Sequence, residues 1–229
     1  MASTKSGTWH HPPVDRGARP RTRFHRLALC SALLGVLVPV TLASAAVLET
    51  RAAPARWDAP SDPLKRTAMA GLKAEKRESL TFHVHAHLDV FVDKRPVVVP
   101  AGIGINTKDP GVKRFRDPKA GIVYGGIEGC AQPCISPLHT HDGLGIIHTE
   151  SATPKPNRLG QFFTEWGVRL DRNCVGSYCA PAVRVAIYVD GKRFKGDPRT
   201  IELVDRREIA IAIGTPPAKI PSSADFSNA

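Results

Sequence analysis

The sequence predicts a mainly β (or α+β) protein: a single sandwich- or barrel-like antiparallel sheet domain with one short amphipathic helix, preceded by a membrane segment. Three observations carry that prediction. Thr81 to Val92 alternates apolar with polar residues at the two-residue period of a half-buried strand. Val183 to Val189 runs into Asp190-Gly191, a strong short signal for a β-hairpin. Asn157 to Gly167 alone shows helical spacing, with Leu159, Phe162, Phe163 and Trp166 at i, i+3, i+4 and i+7.

Taken in chain order, residues 1–26 are basic and precede Leu27 to Val47, which carries no charge. Arg16, Arg19, Arg21, Arg23 and Arg26 flank that apolar stretch, so the N-terminus is expected to stay in the cytoplasm while the rest is exported. The segment reads either as a retained single-pass anchor or as a signal peptide cleaved near Ala45, where Ala43-Ser44-Ala45 supplies small residues. Residues 48–79 are rich in Ala, Pro and charge and read as a stalk, with Ala68 to Glu78 as transient helix.

The β domain is expected over 80–214. After Thr81 to Val92, the residues Asp93 to Pro96 offer a hairpin connection to a second strand, Val97 to Ile105. Gly121 to Ile127, Gly145 to Thr149, Val183 to Val189, Ile201 to Val204 and Glu208 to Ile213 are the further strand candidates. In the helix, Asn157 is placed as N-cap and Gly167 as the stop, and its aromatics form a core-facing stripe. The tail, 215–229, carries Pro216, Pro217, Pro221 and several serines, and reads as flexible and irregular.

The formal charge of +11 suggests nucleic acid until it is divided along the chain. Residues 1–26 hold six Lys/Arg against Asp15, and without that +5 the remainder carries +6 of mixed sign. Nucleic acid is therefore not an expected partner. Cys30 lies in the apolar segment, which leaves Cys130, Cys134, Cys174 and Cys179 in the exported part, an even number that predicts two disulfides. Three pairings are open. A four-cysteine zinc site is disfavoured by the C-x3-C and C-x4-C spacings in an oxidising compartment.

Six of the nine histidines fall in two bursts: His83, His85 and His87 in FHVHAH, and His139, His141 and His148 in LHTHDGLGIIH. A strand through the first burst buries Phe82, Val84, Ala86 and Leu88 and presents three imidazoles on its other face. Residues i and i+2 on a strand lie roughly 6.5 to 7 Å apart, close enough to share an ion, whereas i and i+4 are separated by roughly 13 Å. One strand cannot give all three to one metal. A complete centre needs two neighbours from the first burst and at least one residue of the second, which makes His83, His85, His139 and His141 the leading ligands. His148 follows the Gly143-Leu144-Gly145 bend, which can turn the chain back beside His141. Imidazoles in this number suit Zn(II) or Cu(II), and the scarcity of Met argues against a thioether copper site. Asp89, Asp142 and Glu150 stand near the bursts, with Asp142 and Glu150 as candidate catalytic acid/base groups.

Phe82-His83-Val84-His85 resembles the copper-ligand segment of copper/zinc superoxide dismutases over four residues, and that likeness implies metal on a strand. The late copper-ligand histidine of that family has no counterpart, because no His follows His148. His139-Thr140-His141 is similar to the HxH of cupins, but Gly145 and Ile146 stand where the cupin Glu is expected. More broadly, HVHAHLDVFVD, PAGIGI, SPLHTHDGLGIIHTES, LGQFFTEWG and YVDGK together resemble a group of uncharacterised exported bacterial proteins over residues 81–214. Membership implies a secreted or membrane-anchored single domain and transfers no activity.

The expected function is extracytoplasmic metal binding through the histidine cluster. A metalloenzyme activating water or oxygen at the same site is the first alternative, and a metal-free surface binding domain is the second. No G-x-S-x-G or other independent nucleophile arrangement is present.

Overall fold

The period-two pattern of Phe82 to Val92 places this strand at the centre of a seven-stranded mixed sheet in the computed structural model, which describes residues 57–227. The basic segment 1–26, the apolar segment 27–47, the stalk through residue 56, and residues 228–229 lie outside the described residues. Among the described residues, no helix is long and apolar enough to cross a membrane.

In chain order the elements are α1 (Pro63–Met69), β1 (Phe82–Val92), β2 (Arg95–Val97), β3 (Lys113–Asp117), β4 (Gly121–Gly125), β5 (Leu138–His139) and β6 (Ile146–Ser151). They are followed by α2 (Leu159–Trp166), β7 (Cys174–Val175), β8 (Tyr178–Cys179), β9 (Val185–Val189), β10 (Lys192–Phe194), a 3-10 turn (Pro198–Thr200) and β11 (Arg207–Ile213). The main sheet runs β10-β9-β11-β1-β6-β5, with β2 also paired to β1, while β3-β4 and β7-β8 form separate two-stranded ribbons.

The fold is mainly β, as the sequence predicts, but the sheet is not antiparallel throughout. Strands β1 and β11 pair in parallel, with Leu88 opposite Ile209 and Val90 opposite Ile211. Strand β11 lies between β9 and β1, and from Glu208 to Ile213 every residue is buried, the near-continuous burial of a central strand covered on both faces. A second departure is α1, a helix earlier than the one expected over Ala68 to Glu78. Segment 57–79, read as a stalk, packs on the domain: Thr67 is buried, the Trp57 ring lies 5.5 Å from that of Trp166, and Trp166 Nε1 donates to the Trp57 carbonyl at 3.1 Å. Its apolar residues are too sparse to form a stripe, yet single anchors such as Trp57 and Leu72 reach the core.

The expected strand Val97 to Ile105 is largely turn after β2. Gly102 and Gly104 adopt φ of +83° and +72°, outside the β region. At Gly104 a side chain would also strike the Leu138 carbonyl and the Glu165 carboxylate. Ile201 to Val204 forms only a bridge at Glu202. Both expected hairpins turn in two residues with positive φ, Asp93-Lys94 (46° and 70°) and Asp190-Gly191 (51° and 76°), whose twist suits a tight β-hairpin. Strand β3 was not anticipated; Lys113 to Asp117 is exposed throughout and leaves no alternating apolar signal.

One face of the main sheet is apolar. Ala86, Leu88 and Val90 of β1 join Ile147, Ile187, Ile209, Ile211 and Ile213 beneath the stripe Leu159, Phe162, Phe163 and Trp166 of α2. Gly167 ends α2 with φ of +76°, and the Arg158 N–H donates to the Gln161 side chain at 2.9 Å at its start, one residue beyond the expected Asn157 cap. The cysteines pair locally, Cys130 with Cys134 and Cys174 with Cys179, one of the three open pairings.

Candidate metal centre

The second face of the sheet is polar because the odd-numbered residues of β1 point there. Register completes the arrangement: His85 lies opposite His148 of β6, His148 lies opposite His139 of β5, and His83 lies opposite Glu150. Three neighbouring strands thus set three imidazoles in one row, with ring centroids 4.5 Å apart for His85 and His148 and 5.3 Å apart for His139 and His148. His141, two residues beyond His139, closes over the row with its ring 4.5 Å from that of His148. His148, the candidate that follows the Gly143-Leu144-Gly145 bend, lies beside His141 and at the middle of the cluster.

Hydrogen bonds orient the rings. His139 Nδ1 donates to the Ser136 carbonyl at 2.9 Å, and His141 Nδ1 donates to the Tyr124 carbonyl. A carbonyl can only accept, so each ring carries a proton on Nδ1 and turns its Nε2 inward. The two Nε2 atoms face each other across 3.1 Å. This is the arrangement by which backbone carbonyls fix the tautomer of metal-binding imidazoles.

Glu150 is the acidic partner of the cluster and is only 4% exposed. Its Oε1 lies 3.2 Å from His148 Nδ1, 3.1 Å from His83 Nε2 and 3.9 Å from His139 Nε2. Its Oε2 is buried without a hydrogen-bond partner, as are His85 Nε2 and Glu78 Oε1. Glu78 approaches from the segment before β1, 3.5 Å from His141 Nε2. Sequence reasoning missed Glu78 because it lies in a stretch without periodicity, brought to the cluster by the bond from its N–H to the Ile127 carbonyl.

Burial, reinforced by the neighbouring imidazoles His141 and His148, holds His139 well below the usual histidine range. Burial does the same to His148, with His141, His85 and His83 adding to it, and lowers His85 as well. These rings are neutral at neutral pH, with lone pairs available. Burial raises the carboxyl of Glu78 against the opposing pull of His141. Within this face, two sets of donor atoms lie within 4.8 Å of one another: His83, His85, His148 and Glu150, and His139, His141, His148 and Glu150. Either set can hold a metal ion.

The remaining sequence candidates are placed elsewhere. His87 is separated from both sets, as strand spacing requires. Its Nδ1 lies 2.8 Å from Glu208 Oε2 and its Nε2 lies 2.8 Å from the Leu144 carbonyl. Burial disfavours its charge, but the Glu208 carboxylate, Asp89 and the Leu144 carbonyl outweigh that and raise its pKa. His87 and Glu208, with Asp89, form a second group of donor atoms within 4.8 Å of one another, apart from the two histidine sets. Asp89 is 3.9 Å from His87 and belongs to this second group. Asp142 uses Oδ1 to accept from the Leu144 N–H at 2.9 Å, which shapes the bend before β6, and it is in neither histidine set. Tied in disulfides, Cys130, Cys134, Cys174 and Cys179 offer no thiolate.

Comparisons with protein-family models, curated proteins and solved structures find no match.

Proposed function

We propose that the chain is an extracytoplasmic metal-binding protein whose imidazole and carboxylate cluster holds Zn(II) or Cu(II). The observation that carries this reading is the 3.1 Å approach of His139 Nε2 to His141 Nε2 with both Nδ1 protons committed to backbone carbonyls. Two bare Nε2 lone pairs repel at this distance unless they share a proton or a metal cation, and the burial that disfavours charge on His139 favours the metal. Two nitrogens about 2.0 to 2.1 Å from one tetrahedral zinc stand about 3.3 Å apart, which agrees with the spacing observed. The buried, unpartnered His85 Nε2 and Glu150 Oε2 support the same reading, since unmet polar atoms inside a protein are costly unless an ion or hydrogen bond satisfies them. Two disulfides fit export to an oxidising compartment.

The second reading is a metalloenzyme, favoured by the rim of the cluster. The side chains of His83 and Glu78 are 34% and 27% exposed, so solvent or a small substrate reaches the donors from that side. Glu150 and Glu78 would then supply the acid/base groups beside the ion.

The test is metal content. The full chain is purified, loaded with Zn(II) or Cu(II), desalted and analysed by mass spectrometry, with His85→Ala and His141→Ala in parallel. Bound metal that falls in both variants supports the proposal. No metal after loading, or content unchanged in both variants, overturns it. Turnover of hydrolysable or oxidisable substrates that follows metal content separates the enzyme reading from storage or delivery.

A further inference from the structure

The donor cluster is larger than one ion needs. A structural zinc takes four protein ligands, whereas this face gathers five imidazoles and Glu150, with Glu78 at the rim. A single ion in the set with His139 and His141 would leave His85 Nε2, buried without a hydrogen-bond partner, unsatisfied. The two sets of four are not separate sites either, because they share His148 and Glu150.

The geometry points to a dinuclear centre bridged by the Glu150 carboxylate, an inference that rests on the metal-binding reading above. Glu150 sits between the two halves: its Oε1 is 3.1 Å from His83 Nε2 on one side and 3.9 Å from His139 Nε2 on the other. Its Oε2, buried and unpartnered, leaves the second oxygen free for a second ion. A carboxylate has one oxygen for each metal, and paired ions in such centres lie about 3.5 to 4 Å apart.

The halves differ. The inner ion takes His139, His141, His148 and Glu150, a closed set of four donors built around the fully buried His139. His148 supplies one lone pair and so belongs to one ion only; its side chain is 9% exposed, nearer to His139 at 0% than to His83 at 34%, which groups it with the inner ion. The outer ion is left with His83, His85 and Glu150, three protein donors on the exposed side of the cluster. Three ligands and an open position are the pattern of a site that binds water or an exogenous ligand. The inner ion is accordingly structural and the outer one exchangeable.

Stoichiometry decides the matter. The full chain is titrated with Zn(II) against a chromophoric chelator, and metal per chain is measured after desalting. The expected result is two equivalents, of which the second is removed first by chelator. One equivalent overturns the dinuclear centre while leaving metal binding intact, and no equivalent overturns both. His83→Ala/His85→Ala is expected to retain one ion, the chelator-resistant one. A second measurement needs no variant: with two equivalents of Cu(II), electron paramagnetic resonance should show spin coupling between neighbouring ions. Two isolated, uncoupled signals would overturn the bridge. Glu150→Gln, which keeps the shape of the side chain, should abolish that coupling; persistent coupling would remove Glu150 from the bridging role.

Discussion

His139 and His141 turn their Nε2 atoms toward each other at 3.1 Å while Ser136 and Tyr124 carbonyls hold their Nδ1 protons. Backbone carbonyls just before β5 and within β4 therefore hold the Nδ1 protons in place. The candidate metal centre is built into the fold rather than assembled by flexible side chains, and the consequences can be measured.

Removing the imidazole at the middle of the row should cost most. His148 belongs to both donor sets. His148→Ala is expected to weaken metal binding by at least about 100-fold, beyond the roughly 10- to 100-fold loss typical when only a supporting hydrogen bond is removed. Competition with a chelator of known affinity reads this directly, and a loss below tenfold would contradict the central place of His148.

Asp142 should behave differently from Glu150. Its Oδ1 is engaged by the Leu144 N–H, so Asp142→Ala should lower stability by about 1 kcal/mol while leaving metal stoichiometry unchanged. Urea unfolding and metal analysis of the same preparation separate the two effects. Loss of metal without loss of stability would make Asp142 a ligand after all.

The metal-free protein should lose stability in acid. Burial holds His139 and His148 well below the usual histidine range, so the unfolded chain binds protons that the fold refuses. Their contribution is complete above about pH 6.5 and declines as pH falls through their lowered folded values. Metal binding should steepen this loss, since the ion requires the deprotonated rings. Thermal melts from pH 8 to pH 5, with and without Zn(II), should show the difference between the two curves shrinking toward the acid end. A difference that grows as pH falls would contradict the assignment.

Glu165 gives the opposite slope. It is buried in α2, with Ser136 Oγ donating to its Oε1 at 2.5 Å, and burial raises its carboxyl to about 8. The contribution is full below pH 4.5 and is lost as pH rises toward 8, at up to about 1.4 kcal/mol per pH unit. Glu165→Gln should therefore flatten the alkaline limb of a stability-against-pH curve. An unaltered limb would show that Glu165 ionises freely in the fold.

Much of β1 was legible because period two is a local property: His83, His85 and His87 share a face by geometry alone, and the isolation of His87 follows from strand rise. What the sequence could not show was register. The row His85, His148, His139 depends on pairing β1 with β6 and β6 with β5, and neither offset is written in local spacing. Glu78 was hidden for the same reason, since only a loop contact near Ile127 brings it to the cluster. The parallel pairing of β1 with β11 joins strands whose opposed residues are about 121 positions apart, and buried β11 carries no hint of its partner. Lys113 to Asp117 escaped notice because exposed strands need no apolar alternation.

X-ray absorption spectroscopy of the metal-loaded full chain tests the central claim most directly. The account predicts a shell of nitrogen and oxygen donors at about 2.0 to 2.2 Å, with the outer scattering pattern of several imidazoles and no sulfur. A sulfur shell near about 2.3 Å, or a metal environment without imidazole scattering, would contradict it.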